Sequence, residues 1–260
     1  MSRDATRGAT VRDVTPVEAV QDWLAELARR RAQRTVGTPG GFAVRDDAYP
    51  LSHDHNKLLV QGPCDGAALA AATVRVLDGL GHRLVEFRTP ELADLLGPSL
   101  TGYERSDNRL LAWSGATPGR RPTVELDLAG RKAVASAVWT ANLPGASPEV
   151  WRQLGERVVR MTRACTPIFL ATLGPDGVVA CTADLYVHQG IAQVEEVLTV
   201  PAYQGQGLAT GVVLDAVARG FEAGASAVVI VADADDWPLG WYRRLGFVGL
   251  GRTSSFSRVP

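Results

Sequence analysis

The stretch Val194-Glu195-Glu196-Val197-Leu198-Thr199-Val200-Pro201-Ala202-Tyr203-Gln204-Gly205-Gln206-Gly207-Leu208-Ala209 constrains this chain more than any other. It reads as a strand, a short loop with two glycines, and the start of an apolar helix. Gly205 and Gly207 have no Cβ, so the backbone there can turn sharply and approach a bulky ligand. The first N–H groups of the following helix have no intrahelical partner, and the helix dipole favours an anion beside them. Leu208, Val212, Leu214, Val217, Ala218 and Phe221 give that helix an apolar side, and Gly224 is placed to stop it. A Walker loop would end in Gly-Lys-Ser/Thr, and no lysine is present here. A dinucleotide-binding loop would need a third glycine where Thr210 stands.

A second motif lies downstream. Ala227 to Asp233 is a run of β-branched residues suited to a buried strand. Asp235 or Asp236 can then cap a helix, with Pro238 in its first turn and Gly246 at its end, before Phe247 to Leu250 begins another strand.

Together these motifs resemble the GNAT acetyltransferase superfamily. Gln204-x-x-Gly207-x-Ala209 is similar to that family's acyl-CoA pyrophosphate loop. Tyr242, Gly246 and Phe247 match its second signature, with Asp235 where the family often has Asn and Pro238 where it often has Ala. The resemblance covers about residues 147–260. It implies an α+β fold with a mixed, mostly antiparallel sheet flanked by helices, and acetyl-CoA as co-substrate without a metal. It implies that Leu198, Thr199 and Val200 offer backbone N–H groups to pantetheine and the thioester oxygen. Gln204, Gly205, Gln206, Gly207, Leu208 and Ala209 would hold the pyrophosphate, with Asp235 and Tyr242 near the cofactor. Tyr242 matches the tyrosine that many members use as general acid toward the CoA sulfur; its pKa of about 10 keeps a phenol protonated at neutral pH.

The general base is left between two residues. Glu195 and Glu196 are adjacent on the central strand, and alternation sends them to opposite faces. Either can accept a proton directly or through water; Glu196 is slightly preferred. Trp237 and Trp241 suit an acceptor pocket or CoA channel, or else core packing. His53 and His55 flank Asp54, but no third ligand accompanies them. Cys64, Cys165 and Cys181 form no CxxC or Cys/His cluster, and Cys181 is expected to be buried.

From Asn56 to Trp113 the order of elements is one that repeats at the C-terminal end. After a polar N-terminal arm (1–14), Thr15-Pro16-Val17-Glu18 reads as a capped helix start with Pro16 at the first helical position. That helix runs to about Arg34, and Gly37 to Asp47 reads as loop. Then come strand Lys57–Gln61, a helix from Asp65-Gly66 to Leu80, strand Arg83–Phe87, a short helix Pro90–Leu96, and a strand or hairpin from Tyr103 to Trp113. This predicts a tandem arrangement: a degenerate GNAT-like domain over 15–118 and an acetyltransferase domain over 119–260, joined by the Gly/Pro/Arg-rich stretch Gly115–Pro122. Pro63 removes a donor and Asp65 adds negative charge where a phosphate would sit, which argues against CoA in the first half. In the second half, Thr123–Leu128 alternates as a strand, Pro148–Ala164 is an amphipathic helix, and Ile168–Leu173 with Val178–Tyr186 form a hairpin.

With 260 residues and a formal charge of −1, the chain has no electrostatic footprint for nucleic acid. No membrane span is read from it, so it is expected to be cytoplasmic; a homodimer is left open. The function expected is transfer of acetyl from acetyl-CoA to a small-molecule amine by direct attack in a ternary complex. The alternatives are a protein or peptide amine as acceptor, or a non-catalytic acyl-CoA sensor.

Overall fold

The computed structural model describes residues 16–259; the N-terminal arm and Thr15 lie outside them. One eleven-stranded sheet runs through the molecule in the order β1-β2-β3-β4-β11-β5-β10-β9-β8-β7-β6. In chain order its strands are β1 (Arg34–Thr38), β2 (Gly41–Arg45), β3 (Lys57–Val60), β4 (Arg83–Phe87), β5 (Glu104–Trp113) and β6 (Val124–Leu126), followed by β7 (Thr166–Leu173), β8 (Val179–His188), β9 (Ile191–Thr199), β10 (Ala227–Asp233) and β11 (Phe247–Arg258). The helices are α1 (Val17–Arg31), α2 (Gly66–Val76), α3 (Pro90–Leu96), α4 (Leu128–Asn142), α5 (Pro148–Glu156), α6 (Met161–Ala164), α7 (Leu208–Glu222) and α8 (Pro238–Leu245).

The pairings explain the repeat seen in the sequence. β3 and β4 are parallel and joined through α2; β9 and β10 are parallel and joined through α7. All other neighbours in the sheet are antiparallel. Each half ends in a strand that leaves its own half. β11 inserts between β4 and β5, while β5 pairs with β10. The last strands are thus exchanged, and the centre of the sheet is built from both halves of the chain.

Apolar side chains cover both faces. Val212, Val213, Ala216 and Val217 of α7 pack with Leu170, Leu185 and Phe247 on one face. Val20, Trp23 and Leu27 of α1 pack with Leu110, Met161 and Val229 on the other. A third cluster, with Leu58, Leu69, Phe87 and Leu96, fills the N-terminal half.

Several expectations need correction. Residues 37–47 are not loop: β1 and β2 form a hairpin turned at Thr38–Gly41, where Gly40 takes φ +69°. Its strands are only five residues long, and one is almost wholly buried, so neither shows clean alternation. Pro16 precedes α1, which begins at Val17 and has no capping side chain. α2 stops at Val76. The segment 128–142, given no element from the sequence, is the alanine-rich α4, capped by Asp127. The helix expected over 148–164 tightens into a 3-10 turn at Arg157–Arg160, which aims its two end arginines at different partners.

The connection between the halves is pinned. Asp215 of α7, fully buried, accepts hydrogen bonds from Arg120 Nε at 2.7 Å, Arg121 N at 2.8 Å, Thr123 Oγ1 at 2.7 Å and Arg219 Nε at 2.9 Å. These four donors hold the Asp215 carboxyl down to about 2 against the opposing effect of burial. The strand exchange has a direct test. A fragment of residues 119–260 lacks β5, so β10 loses one neighbour and β11 both. That fragment is expected to be unfolded by circular dichroism and to recover structure on mixing with residues 1–118.

Candidate active site

β9 and β10 separate before they end. Their ladder covers Ala227↔Ile191, Val228↔Ala192 and Val229↔Gln193 and goes no further, while β9 runs on to Thr199 and β10 to Asp233. A bulge marks the divergence. Glu196 adopts φ +49°, and the β8–β9 register shifts between Thr182 and Asp184. Cavities of about 570 and 280 Å³ lie beside the divergent strands.

The larger cavity contains most of the residues expected at the cofactor. Leu198, Thr199, Gln204, Gly205, Gly207, Leu208, Ala209 and Tyr242 line it, and Trp237 and Trp241 join them. Gly205 and Gly207 both sit in the left-handed region, at φ +75° and +76°. A Cβ would meet nothing within 4 Å at either glycine, so it is the backbone conformation, and not crowding, that requires them. Gly207 stands at the N-cap of α7, where no side chain caps the helix. The loop is fixed from below: Tyr203 Oη donates to Asp176 Oδ2 at 2.5 Å, tying the Pro201–Tyr203 turn to the β7–β8 turn.

Three expected cofactor residues do not line this cavity. The Val200 amide donates to Ala180 O at 2.9 Å and is spent on β8. Alternation turns the Leu198 amide the same way and leaves those of Val197 and Thr199 facing the gap. Gln206 bonds back to Ala202 O at 3.3 Å. Asp235 lies in the bend after β10, its amide bonded to Asp233, and α8 starts without a capping side chain. Asn142, from the C-terminus of α4, also lines the groove. No sequence signal marks it, because α4 itself was not recognised.

The smaller cavity takes both glutamates. Alternation would have separated them, but the bulge at Glu196 brings both side chains to the same wall. Their environments differ. Glu196 pairs with Arg157 at 2.5 Å and Arg131 at 3.5 Å. Glu195 has no cation within ion-pair distance among the described residues and accepts a hydrogen bond from the Gln193 amide. Its carboxyl is pushed up to about 8, by burial first and then by repulsion from Glu196 and Asp54. Burial, followed by the charge of Glu195, raises the Tyr242 phenol above its ordinary value. The charge of Glu195 in one cavity is therefore felt by Tyr242 in the other, across the gap between β9 and β10.

The polar frame of the smaller cavity comes from both halves. Arg31 pairs with Asp54 at 2.6 Å; Lys57 pairs with Asp54 at 2.8 Å and Glu86 at 2.7 Å. Beneath it, Arg131 of α4 holds Asp184 through Nε at 2.5 Å and Nη2 at 3.0 Å, and Tyr186 Oη donates to the same carboxylate at 2.8 Å. Motif matching could not find Arg131 or Arg157, because their role exists only once α4 and the 157–160 turn fold against β9. The two other histidines expected near a loop are packed: His53 stacks on His82 with ring centroids 3.8 Å apart, and His55 Nδ1 lies 2.9 Å from Ser52 Oγ. Among the described residues no group of three or more His, Cys, Asp and Glu side chains is arranged to hold a metal.

The N-terminal half offers no equivalent of the larger groove. Asp65 Oδ1 accepts from Ala68 N at 2.7 Å and caps α2 with a protein carboxylate. β3 and β4 stay paired to their ends, and Arg88 N bonds to Val60 O at 2.9 Å.

Comparison with solved structures identifies the fold. A GCN5-related N-acetyltransferase from Kribbella flavida superimposes with a TM-score of 0.62 at 18% identity, over 94% of this chain and 95% of its own. A functionally unknown conserved protein from Staphylococcus epidermidis gives 0.64 at 13% identity, over 87% and 94%. An acetyltransferase from the GNAT family of Colwellia psychrerythraea gives 0.52 at 12%, over 84% and 80%. At these identities the likeness is one of fold, an α+β GNAT fold, and with the first it extends over both halves. Residues 137–247 match the acetyltransferase (GNAT) family, so the chain carries a GNAT acetyltransferase domain. No curated protein matches the sequence.

The buried pair beneath the site has a measurable weight. Asp184→Ala leaves the Arg131 guanidinium buried with only its longer contact to Glu196. Its unfolding free energy is expected to fall by about 3–5 kcal/mol, read from the urea midpoint at unchanged m-value.

Proposed function

We propose that this chain is an acetyl-CoA-dependent N-acetyltransferase that acetylates a small-molecule amine by direct attack in a ternary complex. The observation that carries the proposal is the placement of Glu195 and Tyr242 on the walls of the two cavities that lie beside the parted strands β9 and β10. In this reading the larger groove holds the cofactor and the smaller cavity the acceptor. Residues 119–260 form the catalytic unit. Residues 15–118 form a degenerate GNAT-like unit that completes the sheet and walls the acceptor cavity.

The groove fits the cofactor on three grounds: a left-handed glycine loop, a helix N-terminus without a capping side chain, and backbone amides turned toward the gap. Acetyl-CoA supplies an activated acetyl group. The Gly205–Ala209 backbone would hold its pyrophosphate, and the Val197 and Thr199 amides would face the carbonyl oxygen as electrostatic stabilisers.

Glu195 is the better base of the two glutamates. Glu196 is occupied by two arginines, whereas Glu195 has no cation to hold its charge. A carboxylate with a pKa near 8 is far more basic than a free one and is suited to taking a proton from an ammonium acceptor. Tyr242 Oη, kept protonated by its buried position, would donate to the departing sulfur. Arg157 and Arg131 hold Glu196, and with it the bulge that aims Glu195.

Two outcomes test this reading. Only ionised Glu195 is a base, so kcat/KM is expected to rise with pH through about 8. Glu195→Gln is expected to remove that limb and lower kcat about 10²–10⁴-fold. Tyr242→Phe is expected to lower kcat with little change in acetyl-CoA affinity by calorimetry, whereas Gly207→Glu abolishes binding by placing a carboxylate and a strained backbone at the head of α7. A Tyr242→Phe variant with unchanged kcat would remove the phenol from the mechanism, and absence of acetyl-CoA binding to the native chain would remove the enzyme reading altogether.

A further inference from the structure

The acceptor cavity carries enough charge pairing to define what kind of amine it takes. Four cations line it: Arg31, Lys57, Arg131 and Arg157. Each is already committed. Arg31 and Lys57 hold Asp54, Lys57 also holds Glu86, Arg131 holds Asp184, and Arg157 holds Glu196. Asp54, Glu86 and Glu196, the other lining carboxylates, are the partners of those same cations. Among the described residues Glu195 is the one lining carboxylate without a cation; with Asp184, which lies outside the lining but holds Arg131, four cations face five carboxylates when Glu195 is ionised, one positive charge short of balance. Between the ion pairs the wall is aliphatic, with Leu24 and Leu27 of α1, Leu59 of β3, Leu110 of β5, and Leu154 and Val158 opposite.

From this we infer that the acceptor is a primary monoamine with a compact uncharged body, and that amines carrying a carboxylate or a second ammonium are excluded. The inference rests on the proposed activity for its chemistry but on the cavity's own pairing for its selectivity. One ammonium completes the balance by facing Glu195. A carboxylate on the acceptor would have to detach one of these cations: loss of Lys57 strips Glu86 and loss of Arg131 strips Asp184, while loss of Arg31 or Arg157 leaves Asp54 to share Lys57 with Glu86 or Glu196 with its longer contact to Arg131, each a cost in a partly buried wall. A second ammonium would meet Asp54 or Glu86 already neutralised at 2.6–2.8 Å. The volume of about 280 Å³ corresponds to roughly nine water molecules at about 30 Å³ each, so the body is small.

The test uses three amines of one chain length on the full protein: hexylamine, 6-aminohexanoate and 1,6-diaminohexane. Each is titrated calorimetrically at about pH 9, where Glu195 is ionised and a primary amine, with a pKa of about 10.4, still carries its proton, and then assayed for thiol release with acetyl-CoA. Hexylamine is expected to bind at least tenfold more tightly than either of the others, and Glu195→Gln is expected to lose at least tenfold of that affinity. Equal binding of the three, preference for 6-aminohexanoate or for the diamine, no binding of any, or hexylamine affinity unchanged in Glu195→Gln would each overturn the inference. The two readouts separate this proposal from the one before it. If no thiol is released with any amine, acetyl transfer fails while the order of amine affinities still decides the selectivity of the cavity.

Discussion

A β-strand that parts from its neighbour before either ends must leave backbone groups without a sheet partner, and those groups have to find another use. β9 parts from β10 after Gln193, three residues before the left-handed residue Glu196. Everything at the candidate site follows from this divergence. It turns the amides of Val197 and Thr199 toward an open gap, separates two cavities, and brings two consecutive carboxylates to one wall. A non-glycine residue in the left-handed region costs on the order of 1–3 kcal/mol. Here the ion pairs of Glu196 with Arg157 and Arg131 offset that cost and fix the geometry. The bulge therefore sets the different electrostatic states of Glu195 and Glu196.

Much of this was legible in the sequence, for local reasons. The glycine loop, the helix after it, β10 and α8 carry short-range signals: positive-φ glycines, apolar periodicity, a proline in a first turn. The groove residues Gln204, Gly205, Gly207, Leu208, Ala209 and Tyr242 follow from them. What the sequence could not reveal depends on contacts between distant elements. Strict alternation placed Glu195 and Glu196 on opposite faces, and only the register shift against β8 reverses that. The Val200 amide is lost to Ala180 across a strand pair that no motif records. Arg131 and Arg157 look like ordinary surface arginines on paper. α4 hides because its alanines give it weak amphipathic character, and the exchange of β5 and β11 is a property of the whole sheet.

The two halves show how one topology can be open or closed to a ligand. In both, a parallel strand pair is joined by a helix whose N-terminus lies at the strands' ends. In the second half the strands part and the helix begins at a left-handed glycine with no cap. In the first half they remain paired, and Asp65 supplies the anion that a helix N-terminus attracts. A single side chain thus satisfies internally what the other half leaves for something outside. The first half instead contributes Arg31, Asp54, Lys57 and Glu86 to the shared cavity, so its chemistry is spent on the wall of the neighbouring site.

The exchanged strands also bear on how the chain is made. During synthesis β4 and β5 emerge well before β11, the strand that lies between them: Phe87 waits for Ser254, and Trp113 for Phe247. Until β11 emerges, β4 and β5 present open edges that carry Leu84, Val85, Leu110 and Leu111, the kind of surface that pairs with other nascent chains. Closure of the whole sheet then waits for its last strand, when long-range pairing must close large loops at once. Such a topology should depend on holdase chaperones in proportion to the rate of synthesis, and a product without Phe247–Arg258 would forfeit the centre of the sheet rather than its margin.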